Sequence, residues 1–141
     1  MKVVRDMLSI GLVSSGLIGT QILVADKWLW VAAPTHAIGL LVFVLIDLAL
    51  GLAIWWRTPI ATLGSALVSG SQLAAMLADI AIGQPMGVAT LAFRVYLLTD
   101  VSYTVLLFTQ LAVLSIAAVA LASPLIHRHG RWAILPRIVK H

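Results

Sequence analysis

Asp47 is an ionisable residue inside an unbroken apolar run, with Leu-Val-Phe-Val-Leu-Ile before it and Leu-Ala-Leu-Gly-Leu after it. If that run is a membrane helix, placing the carboxyl at mid-depth costs ~2.5 to 3.5 kcal/mol on insertion scales. Partners must offset that cost. Two readings follow: a group that carries a proton or holds a ligand, or a neutral carboxyl hydrogen-bonded to an amide and purely structural. Residues able to meet it lie in the other apolar runs, namely Gln72, Gln110 and Ser15. A shared polar interior of this kind suits a small ligand, a quinone headgroup or a proton.

His36 precedes Asp47 by eleven residues, about three helical turns, so both project from one face but stand some 16 Å apart along the axis. It is placed to bind a metal, to pass a proton near a quinone, or to sit among headgroups. Ser65, Ser69, Gln72 and Asp79 follow one another at steps of four, three and seven, a polar stripe along one helix face. With Ser15, Gly16 and Gly51 they are expected to serve interhelical hydrogen bonding and close backbone approach, the usual means by which membrane helices associate.

Other chemistries find no support in the residues. The chain has no cysteine, which removes disulfides, thiolate metal sites and cysteine nucleophiles. A membrane b-type haem needs facing histidines, and His36 has no second histidine in any apolar run. His127, His129 and His141 fall in a basic tail without the carboxylate or fixed spacing of a metal site. No phosphate-binding glycine loop, nucleophile elbow or metalloprotease helix is present. No catalytic or metal-ligating residue is therefore assigned.

The elements that must position these side chains are membrane helices. Of 141 residues 62% are hydrophobic and 10% charged, against about 25% charged in soluble domains. The predicted spans are 7–25, 36–56, 60–82 and 101–122, each near the ~20 residues that cross the hydrocarbon. Pro34-Thr35, Thr58-Pro59, Asp100 and Ser123-Pro124 supply the breaks and caps. Residues 86–99 have helical composition but carry Arg94 and are too short to span, which predicts an interfacial helix between the third and fourth spans. The competing expectation is that they lengthen the fourth. Residues 124–141 form a basic tail.

The expected fold is thus an all-α, four-transmembrane-helix bundle occupying the whole chain, 1–141. Lys2, Arg5, Arg57, Arg128, Arg131, Arg137 and Lys140 then share one side against Lys27 and Arg94 on the other, which predicts both termini on the cytoplasmic side of the plasma membrane. Arg57, Arg94, Arg128 and Arg131 are expected at the membrane surface. The net charge of +4 is explained by that asymmetry and does not call for nucleic acid.

Small multidrug transporters are four-helix chains of similar length that carry an embedded Glu in the first helix. Here no acid stands between Met7 and Ala25, so the likeness is one of size. The expected function is a small, non-catalytic accessory subunit of a larger membrane complex, such as a quinone-linked respiratory oxidoreductase, with lipid or quinone at a subunit interface. The alternative is a homo-oligomeric, proton-coupled transporter working through Asp47.

Overall fold

The computed structural model describes residues 2–56, 59–82 and 90–132, with side chains for 2–56, 60–82 and 91–122. Every regular element among them is a helix: α1 (Lys2–Ala25), α2 (Lys27–Ala32), α3 (Pro34–Trp55), α4 (Pro59–Ile82), α5 (Thr90–Thr99) and α6 (Val101–Trp132). Four helices, α1, α3, α4 and the first 22 residues of α6, are long and apolar enough to cross a membrane.

Each long helix packs against its neighbours in chain order, and α6 closes the ring against α1. The buried positions explain that packing. Along the seams they are Leu8, Leu12, Ser15, Gly19 and Ile22 on α1, where the adjoining Ser9, Gly16 and Leu23 are buried as well; Ala37, Val44, Asp47, Gly51 and Ile54 on α3; Ala61, Ser65, Ser69, Gln72 and Met76 on α4; Tyr103, Leu106, Gln110, Val113 and Ala117 on α6. Apart from one step of seven, successive positions are three or four apart, the seam spacing of a left-handed bundle. Residues on the opposite faces, among them Leu17, Leu45, Leu67 and Phe108, are 60 to 63% exposed, so the outside of the bundle is as oily as its inside.

The α1–α3 contact is the tightest. A Cβ on Gly16 would lie 2.7 Å from the Leu48 side chain, and one on Gly51 would lie 2.9 Å from Val13 and 3.4 Å from the Ser9 carbonyl. Glycine therefore sets the interhelical distance, and Ser9 uses the proximity to donate a 2.8 Å hydrogen bond to the Gly51 carbonyl.

Two local features depart from the sequence expectations, and a third agrees with the separate helix expected before the fourth long one. The connection after α1 contains its own helix, α2, capped by the Asp26 side chain, which accepts from the Leu29 amide at 3.1 Å. Asp100 divides α5 from α6, its carboxylate accepting from the Tyr103 amide at 2.7 Å, so residues 90–99 are a separate helix and do not lengthen the fourth span. Residues 86–89 of the predicted interfacial segment lie outside the described residues. Finally, α6 continues past Pro124 to Trp132, the proline removing one backbone donor without ending the helix.

Candidate functional site

The polar side chains of the four long helices meet at one level. Ser15 donates to Asp47 Oδ2 at 2.6 Å, and Gln110 Nε2 lies 2.7 Å from the same oxygen. Gln110 Nε2 also reaches Gln72 Oε1 at 2.6 Å and Ser15 Oγ at 2.5 Å. One residue from each of α1, α3, α4 and α6 thus forms a hydrogen-bonded layer, and none of the four is more than 2% exposed. Asp47, Gln72, Gln110 and Ser15, which the sequence suggests as partners, are in contact.

The layer separates two apolar clusters. On the side of the chain's N-terminus Leu8, Leu12, Ile54, Ala61, Val113 and Ala117 pack together. On the other side the cluster includes Ile22, Leu29, Val44, Met76, Phe93 and Leu106. Three buried polar atoms in and beside the layer have no protein partner, Asp47 Oδ1, Gln110 Oε1 and Ser69 Oγ. Each such atom costs about 1 to 3 kcal/mol when left unpaired. Ser65 avoids that cost by donating to the Ala61 carbonyl of its own helix at 2.6 Å.

His36 does not meet Asp47. Its Nε2 lies 2.9 Å from Asp79 Oδ1, joining α3 to α4 at the α2/α5 end of the bundle. The imidazole also packs edge-on against Phe93, with ring centroids 5.0 Å apart. Sequence reasoning placed Asp79 on the packing stripe only. The available signal was the hairpin: His36 lies 21 residues before Arg57 and Asp79 lies 21 after Thr58, so antiparallel helices bring them to one height.

Beside this pair is a cavity of about 260 Å³. Its polar wall is made by Thr35, His36, Gln72, Asp79, Tyr96 and Tyr103, and its apolar wall includes Leu29, Phe43, Met76, Phe93 and Leu106. Gln72 belongs both to the cavity and to the layer, so the two sites share a side chain. The helices α2 and α5 cover this end. Trp28 packs on Tyr96 with centroids 4.7 Å apart, and the Tyr96 hydroxyl donates to Asp26. Burial, followed by the Asp26 carboxylate, holds the Tyr96 phenol well above its usual range, so it stays a donor. Tyr96, Asp26 and Phe93 escaped the sequence reading because only α2 and α5, once folded, bring them together.

Arg94 donates to the Ala81 carbonyl near the end of α4, where a cation also complements the helix dipole. Its partner is therefore backbone. Gly16 and Gly51 lie in the α1–α3 contact described above. Arg57 lies outside the described residues, as do the side chains of Arg128 and Arg131. No group of three or more metal-ligating side chains occurs among the described residues.

Chemically, the arrangement offers a small cavity with an imidazole–carboxylate pair, an amide and two phenols in an otherwise apolar wall, linked to a buried acid deeper in the bundle. No protein-family model, curated protein or solved structure matches the chain.

Proposed function

We propose that the chain is a small, non-catalytic subunit of a multi-pass plasma-membrane assembly that holds a quinone-class headgroup in the cavity beside His36 and Asp79. Electrons reach the bound ring from a partner subunit in this reading. The N-terminus and the tail after α6 are cytoplasmic, following the Lys/Arg asymmetry, so the cavity opens in the outer half of the bilayer.

The observation that carries the reading is the cavity's chemistry. A volume of about 260 Å³ is below the ~300 to 1,000 Å³ of drug-sized sites and suits a single ring. Apolar and aromatic walls favour such a ring, while His36, Gln72 and Tyr103 are placed for its oxygens. Asp79 accepts from the His36 imidazole and so fixes the orientation of that ring.

The test uses the Trp28 indole, which adjoins Tyr96 and Phe93. With the other tryptophans replaced by phenylalanine, a short-chain quinone titrated into nanodisc-embedded protein quenches Trp28 saturably, and His36→Ala weakens the effect. Quenching that rises linearly with quinone and ignores His36→Ala overturns the proposal.

A second reading, a homo-oligomeric proton-coupled carrier acting through Asp47, draws on the burial of that acid among four helices. Two features weigh against it. Asp47 finds its partners within its own chain, and the cluster of Leu8, Leu12, Ile54 and Val113 packs the route toward the other face. Purification in mild detergent separates the readings: cofactor-bearing partners support the subunit, a homogeneous homodimer the carrier.

A further inference from the structure

We infer that the polar layer is itself a binding site for one monovalent cation of the sodium class, entered from the cavity through Gln72. The inference is independent of what the cavity binds.

The layer presents five oxygens, both carboxylate oxygens of Asp47, the hydroxyl of Ser15 and the amide oxygens of Gln72 and Gln110, and the Ser69 hydroxyl is buried one turn from Gln72 on α4. Hard oxygen donors select alkali and alkaline-earth ions over transition metals. A single carboxylate balances one positive charge, whereas calcium and magnesium draw on more carboxylates or on retained water.

Three of these oxygens, Asp47 Oδ1, Gln110 Oε1 and Ser69 Oγ, have no partner, although their side chains are at most 1% exposed. They share a level. Asp47 lies ten residues before Arg57 and Ser69 eleven after Thr58, so across the α3–α4 hairpin they differ in height by about 1.5 Å. Gln110 bonds directly to the Asp47 carboxylate.

The crowding around Gln110 points the same way. Its amide nitrogen lies 2.5, 2.7 and 2.6 Å from Ser15 Oγ, Asp47 Oδ2 and Gln72 Oε1, three acceptors for two hydrogens. Turning the amide over exchanges the two atoms and gathers Gln110 Oε1 with these three oxygens instead, so in either orientation Gln110 adds one oxygen beside Asp47, and a cation is what such a set accommodates. Among the described residues the charge has no other source within the bundle. Lys2, Arg5 and Lys27 stand near helix starts, Arg94 is held by the Ala81 carbonyl, and His36, some 16 Å from Asp47 along α3, is engaged by Asp79.

Access is one-sided. Gln72 forms part of the cavity wall, while Leu8, Leu12, Ile54 and Val113 close the opposite side. An ion therefore enters and leaves from the α2/α5 end.

The test is thermal unfolding of the purified protein in sodium chloride and in choline chloride at matched ionic strength, at mildly acidic and mildly alkaline pH. Sodium should raise the melting temperature saturably, by on the order of 5 °C at a hundredfold excess over its Kd, and choline should not. Asp47→Asn should abolish the sodium response, Ser69→Ala should weaken sodium affinity at least tenfold, and Ser115→Ala, an exposed hydroxyl bonded to its own helix, should leave it intact. Should Asp47→Asn not fold, Ser69→Ala decides, and unchanged sodium affinity in that variant overturns the site. A melting temperature that follows pH and ignores sodium also overturns it, assigning the positive charge to a proton on Asp47. Equal stabilisation by choline reduces the effect to ionic strength and does the same. Because quinone binding is read separately by Trp28 quenching, failure here leaves the cavity proposal standing, and the reverse holds.

Discussion

Replacing Asp47 by leucine tests whether the layer holds the bundle together. Asp47 Oδ2 receives bonds from Ser15 and Gln110, and both donors lose that acceptor. Gln110 keeps Gln72 and Ser15 within reach, and Ser15 can turn to a carbonyl of its own helix, so the full penalty for two orphaned donors is not incurred. Interhelical hydrogen bonds in membranes average about 0.6 kcal/mol and reach about 1.7. Two such bonds, offset in part by the greater apolarity of leucine, give an expected loss of roughly 1 to 3 kcal/mol. Asp47→Asn keeps one acceptor oxygen and should cost less than about 1 kcal/mol. The assay is reversible unfolding by a denaturing detergent titrated into mixed micelles, followed by far-ultraviolet dichroism. A leucine variant as stable as the parent would show that the layer contributes nothing to assembly and would refute the reasoning.

Gly51→Leu, which pushes a side chain into Val13 and the Ser9 carbonyl, should separate α1 from α3 and lower stability by about 2 kcal/mol or more in the same titration, while Gly39→Ala, with open space around it, should not lower it. A raised Tyr96 pKa means that its stabilising contribution is complete below the unfolded value near 10 and is lost as pH climbs toward the folded value. The protein should therefore weaken above about pH 10, and Tyr96→Phe should remove part of that alkaline dependence. For topology, a cysteine at Lys27 should react with an impermeant maleimide added outside cells and one at Arg57 should not; the opposite pattern would invert the orientation.

The four long apolar helices are legible in the sequence because hydropathy and length decide them, and the α4 stripe is legible because Ser65, Ser69 and Gln72 recur at helical spacing. The company of Asp47 follows from the same pattern, since each long helix has a polar residue to bury. Gly51 beside it is buried as its helical position implies, while Phe43 is half-buried and lines the cavity. What stayed hidden depends on register between elements. The His36–Asp79 pair needs the height of the α3–α4 hairpin, and the Asp26–Tyr96 contact joins residues 70 apart in the chain. The short helix α2 rests on one aspartate cap before Lys-Trp-Leu-Trp, a signal easily absorbed into a connection.

The central claim is that the cavity beside His36 and Asp79 receives a quinone-class ring. Photolabelling with an azido-quinone in native membranes, followed by peptide mapping, examines it directly. Covalent label on His36, Phe93 or Tyr96, suppressed by excess unlabelled quinone and reduced in Asp79→Asn, is the predicted result. Label spread over lipid-facing positions such as Val42, Leu45 and Leu67, with no competition, would contradict the account.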